Sequence, residues 1–204
     1  MDGMLKIGYF LAAVLVAGST ALALAQAGGA APAAPAAPRR PALKLTSPSF
    51  ADGAMLPGKY SCIAKAEALR PHLQWSGGPA GIVSFALILH DADAHPGRTA
   101  ADNLHWLVWN IPAETTEIPE GSPSASITGA VTGHNSSPQP PGFAKEAAFA
   151  PPCAPVGNPH HYTFELLALD TKLDLPATAT RDEFTKAIEG HVLGSSAYHM
   201  IFNQ

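Results

Sequence analysis

The chain has 204 residues, enough for one domain with appendages, since compact domains commonly hold about 50 to 200 residues; the length argues against a two-domain enzyme. Charged residues make up 14%, with 20 Pro and 18 Gly, against about 25% charged residues in ordinary domains, so a turn-rich fold poor in solvated helix is expected. A net charge of -4 offers no field to concentrate a polyphosphate, and nucleic acid is excluded as a partner.

In chain order, Lys6 precedes an apolar run from Ile7 to Val16, broken by Gly18, Ser19 and Thr20 ahead of Ala23-Leu24-Ala25. This pattern predicts a cleaved secretory leader over residues 1–25, the alternative being an uncleaved membrane anchor. No Cys follows the run, so lipid modification is not expected there. Residues 26–42 place Pro at 32, 35, 38 and 41, one per polyproline II turn, which predicts an extended spacer. Its Arg39 and Arg40 are the one feature that suggests peripheral contact with an anionic surface. The folded domain is expected over residues 43–204.

Within it, residues 60–62 and 72–75 read as short strands. Residues 84–90, SFALILH, alternate so that Phe85, Leu87 and Leu89 share a face that ends in Asp91. Residues 104–110, LHWLVWN, set His105, Leu107 and Trp109 on one face and Leu104, Trp106 and Val108 on the other, so both faces should be covered. Residues 121–152, rich in Ser, Pro, Gly and Ala, read as a long loop. Residues 161–169 align Tyr162, Phe164, Leu166 and Ala168, and His160 extends that face backwards. Thr180 and Glu183 form a capping box for a helix over about 181–193, and residues 198–202 suggest a last short strand.

The polar residues therefore terminate apolar faces. Antiparallel pairing of the three main strands would gather Asp91, His105, His160 and Tyr162 at one end of a sheet, at the mouth of an apolar core. Taken singly, each is also explained as a strand end bonded to local backbone. The two cysteines, Cys62 and Cys153, read as one disulfide in an exported protein. The rival reading makes Cys153 a thiol nucleophile activated by His160 or His161.

Taken in order, LTSPSFADGAMLPGKYSC, LQWSGGPAG, SFALILHDADA, HWLVWNIP, PPCAPVGNPHHYTFELLALD and AIEGHVLG resemble the phosphatidylethanolamine-binding protein family. Within that family, they are most similar to the bacterial Raf-kinase-inhibitor-like branch. The resemblance covers about Leu45 to Leu193. It implies a mainly β fold, an antiparallel β-sandwich with a few peripheral helices, and a small pocket at one sheet end that takes phosphate, phospholipid head groups or similar anions. Carried over by motif, the family's binding residues fall on Asp91, Asp93, His105, His160 and Tyr162, with His161 structural. Imidazole and phenol donors, and backbone N–H groups of a loop before His160, suit such a ligand.

This sequence departs from the family string at Ala92 and His95, and at Pro151, where the family carries Gly. Pro removes an N–H donor. The expected activity is binding without catalysis, with no cofactor and no metal. Two alternatives stand beside it. One is a metal-dependent hydrolase built on His90, Asp91, Asp93, His95, His105 and His160, although no H-E-x-x-H or G-x-S-x-G string is present. The other is an inhibitor of an extracellular protease or other protein partner, docking through Phe143 or Phe149 on the long loop.

Overall fold

The computed structural model describes residues 42–136 and 149–204, which belong to one compact unit. The leader at 1–25, nearly all of the spacer and Phe143 lie outside the described residues. Among the described residues are nine strands and one α-helix: β1 Lys44–Thr46, β2 Ala54–Met55, β3 Leu73–Ser76, β4 Ser84–Asp91, β5 Asn103–Pro112, β6 Glu117–Ile118, β7 Val131–Thr132, β8 His160–Leu169, α1 Arg181–Ala187 and β9 Val192–Phe202. They form a three-stranded sheet, β1-β3-β6, and a six-stranded sheet, β2-β9-β8-β4-β5-β7. Every pairing is antiparallel except β2 with β9. The fold is an antiparallel β-sandwich with few helices.

The larger sheet is buried on both faces at its centre, which is why β4 and β5 read as near-continuous apolar runs. Phe85, Leu87, Leu89, Trp106, Val108, Phe164 and Leu166 pack with Leu45, Leu73 and Trp75 of the smaller sheet in the inner core. On the opposite face, Ala86, Ile88, Leu104, Leu107 and Trp109 pack with Leu173 and Phe184. Helix α1 supplies Phe184. It starts at the Thr180–Glu183 capping box, and it ends at Ala187 rather than Leu193 because Gly190 turns the chain at φ +81. The final strand is longer than its apolar signal, since residues 192–197 pair with β8 while showing mostly polar or exposed side chains. Residues 60–62, read as a strand, instead fall in two 3-10 turns, Gly58–Tyr60 and Cys62–Glu67.

Strand β5 departs from strict alternation. Leu89 pairs with Trp106 and His90 with Leu104, which leaves His105 as an extra residue in a β-bulge. The face order shifts there, so Leu104 joins Leu107 and Trp109 in the outer core while the His105 ring meets Tyr162 of the inner core. The period-two pattern had put His105 on the face of Leu107 and Trp109. A second bulge opposes Trp109 and Asn110 to Ala86. Asn110 takes φ +57 and exchanges two hydrogen bonds with the Leu173 backbone, at 2.9 and 2.8 Å.

Candidate functional site

Because β4 pairs antiparallel with both β5 and β8, its exit lies beside their entries: Asp91 is opposite Asn103 on one side and Tyr162 on the other. Asp91, His105, His160 and Tyr162 therefore meet at one end of the six-stranded sheet. All four are buried. Asp91 Oδ2 accepts from His160 Nδ1 at 2.7 Å, and its Oδ1 accepts from the Asp93 backbone N–H at 3.0 Å. The Nδ1–H bond to a carboxylate fixes the imidazole orientation and directs Nε2 away from Asp91, towards Asn158 Nδ2 at 3.3 Å. With 11% of its side chain exposed, against 3% for Asp91, His160 is the less deeply buried member of the pair.

His105 donates Nδ1–H to the Ala150 carbonyl at 2.9 Å and accepts at Nε2 from Asn103 Nδ2 at 3.2 Å. Its ring meets that of Tyr162 edge-on with centroids 5.2 Å apart. Tyr162 accepts from the Cys153 N–H at 3.2 Å. Burial, reinforced by the Asp91 charge, pushes the phenol well above its ordinary range, so it stays protonated and serves as a donor. Burial lowers the His105 pKa, against the opposing pull of the Ala150 carbonyl and Asp91, and the ring is neutral at pH 7. As pH falls below 6.5, the unfolded chain takes a proton that folded His105 refuses. Stability is therefore complete above that pH and falls towards the folded pKa, by up to about 1.4 kcal/mol per pH unit for one proton. Chemical denaturation of wild type and His105→Gln between pH 7 and 5 is expected to show a shallower slope in the variant.

Asp93 does not join the cluster with its side chain. Its carboxylate accepts from the His161 N–H at 2.6 Å and from His161 Nδ1 at 2.8 Å, and both side chains are exposed. The backbone and side-chain bonds from His161 hold Asp93 below the usual carboxylate range. The cause is strand alternation: His161 points away from the inner core, and the turn after β4 brings Asp93 over it. Asp93 serves the cluster through its N–H alone.

Cys62 and Cys153 form a disulfide, so the thiol-nucleophile reading of Cys153 is set aside. The Cys62 N–H also donates to the Pro152 carbonyl at 3.1 Å. This strap holds the segment that supplies the Ala150 carbonyl and the Cys153 N–H. The anion nest expected before His160 is not formed by Gly157 and Asn158, whose N–H groups donate to Gln204 and Pro155 carbonyls.

Of the six candidate metal ligands, Asp91, His105 and His160 meet, whereas the side chains of His90, Asp93 and His95 lie apart from them. His90 lies on the outer face of the sheet, 2.5 Å from Asp102 through Nδ1, and Asp102 also pairs with Arg181. His95 is exposed, with Nδ1 3.3 Å from the Ala101 carbonyl. Among the described residues no three His, Cys, Asp or Glu side chains are arranged to hold a metal. Phe149, read as a docking aromatic, is fully buried, edge-on to Trp106 with centroids 5.5 Å apart.

Sequence reasoning missed Asn103 and Asn158. Asn158 lies two residues before His160, so the same alternation would have found it. Asn103 likewise lies two residues before His105, so the same spacing pointed to it.

Residues 46–203 match the profile of the family described as "Phosphatidylethanolamine-binding protein". A UPF0098 protein of Methanothermobacter thermautotrophicus is 36% identical over 156 residues, covering 76% of this chain and 94% of the relative. A Mycobacterium tuberculosis relative, LppC, which carries a lipoprotein name, is 37% identical over 147 residues, covering 72% of this chain and 65% of its own length. The crystal structure of a phosphatidylethanolamine-binding protein homologue from Chlamydia trachomatis superposes with a TM-score of 0.67 at 31% identity, covering 80% of this chain and 98% of that one.

Proposed function

The chain belongs to the phosphatidylethanolamine-binding protein family, and we propose that it is an exported, Raf-kinase-inhibitor-like member that binds a small anion, a phosphate ester or phospholipid head group, at the Asp91 end of the sheet without catalysis. The observation that carries this reading is the His160–Asp91 pair. A carboxylate at Nδ1 sets the His160 ring with its Nε2 edge beside the Asn158 amide; an oxyanion bound there accepts from the Asn158 amide and, with the ring in its cationic form, from Nε2–H as well. Tyr162, kept protonated, and neutral His105 back this edge and hold it in place. Neither is an activated base or nucleophile, which favours capture over turnover.

Titration calorimetry with O-phosphoethanolamine and with inorganic phosphate tests the assignment. His160→Ala is expected to lose at least tenfold in affinity through the lost donor, and His105→Ala several-fold through loosening of the Ala150 segment. Binding by both variants at wild-type strength would move the ligand elsewhere. Export is supported by the leader-like residues 1–25 and by the lipoprotein name of the Mycobacterium relative. A mature protein beginning at Gln26, read by intact mass from the source compartment, is the matching result.

A further inference from the structure

Arg70 sits just before β3 and is 3% exposed. Nη1 donates to the Ala125 carbonyl at 2.9 Å and Nη2 to the Pro119 carbonyl at a long 3.4 Å, while Nε has no hydrogen-bond partner. The guanidinium lies 5.2 Å from the Trp106 ring centroid. Among the described residues no carboxylate oxygen comes within 4.0 Å of it. Burial lowers its pKa with no neighbouring charge acting against it. A guanidinium removed from water without a counter-charge is costly, and proteins normally pair such groups.

The same side chain lines a cavity of about 400 Å³ together with Thr115, Gly121, Ser126, Ile127 and Thr128. Ser126 and Thr128 direct no hydroxyl to another described group. Two carboxylates also border the cavity, and both are engaged elsewhere. Glu117 pairs with His72 and Gln74, each at 3.1 Å. Glu120 pairs with Lys59 at 2.8 Å and with the Tyr60 hydroxyl.

We infer that this cavity is a second ligand site, separate from the Asp91 cluster, which takes a small monocarboxylate with a short apolar body. The carboxylate supplies the counter-charge that Arg70 lacks and replaces the long Pro119 contact, in the fork geometry that guanidinium favours. Ser126 and Thr128 add hydroxyl donors, and Ile118 and Ile127 receive the apolar part. The nearby Glu117 and Glu120 select charge: repulsion is smaller for a singly charged carboxylate than for a doubly charged phosphate.

The test is a titration of the full chain with sodium butyrate at fixed ionic strength and pH 7, followed by amide and arginine side-chain NMR. Saturable shifts are expected at residues 121–128 and at the Arg70 Nε–H, with inorganic phosphate leaving both unmoved. Ser126→Ala combined with Thr128→Ala is expected to weaken butyrate at least fivefold, and Arg70→Gln to abolish the shifts. The Arg70 resonance of the unaltered protein decides the matter even where Arg70→Gln does not fold. A stationary Nε–H signal, shifts confined to residues 153–162, or a stronger response to phosphate would overturn the inference.

Discussion

Replacing Cys62 and Cys153 together by alanine is expected to lower the unfolding free energy by about 4 to 5 kcal/mol. The bond closes a loop with a sequence separation of 91 residues, and the chain-entropy account of such a cross-link gives a figure of that size. The loss is concentrated where the strap acts. Without it the Ala150–Cys153 segment is held to β5 and β8 by the His105 and Tyr162 hydrogen bonds and the packing of Phe149. Denaturation by guanidinium, with and without reductant, measures the effect. A reduced wild type that unfolds at the same midpoint as the oxidised protein contradicts it.

Asp91→Ala is expected to cost about 3 kcal/mol of stability and at least tenfold in phosphate-ester affinity. The carboxylate is 2% exposed and accepts from both the His160 ring and the Asp93 N–H. Removing it strands these donors in a poorly hydrated place, and each buried donor left without an acceptor costs about 1 to 3 kcal/mol. The affinity falls because His160 loses the contact that sets the direction of Nε2. Asp91→Asn separates the two effects: it retains an acceptor for His160, so most of the stability returns, while the charge does not. An Asp91→Ala protein as stable as wild type would show that the Asp91–His160 pair contributes little to the fold.

Period-two alternation made much of this architecture legible from the sequence. Phe85, Leu87, Leu89 and Asp91 do share a face, as do His160, Tyr162, Phe164 and Leu166, because β4 and β8 pair without interruption over those residues. The convergence of Asp91, His160 and Tyr162 followed from that alternation and from antiparallel pairing alone. His105 reached the same place for a reason the pattern hid, since one unpaired residue reverses the sides of β5. The motif placed Asp93 beside Asp91 and could not tell its carboxylate from its N–H. Arg70 escaped notice because an arginine ahead of Pro71 reads as an exposed turn residue, and only the packing of Trp106 and the carbonyls of Pro119 and Ala125 draw it inside.

In the larger sheet, β9 lies between β2 and β8, and Ala54 is registered against Met200. The strand made last thus completes contacts begun near the domain's start, a topology of high contact order that folds slowly. β2 and one edge of β8 therefore stay without a strand partner until β9 has docked between them.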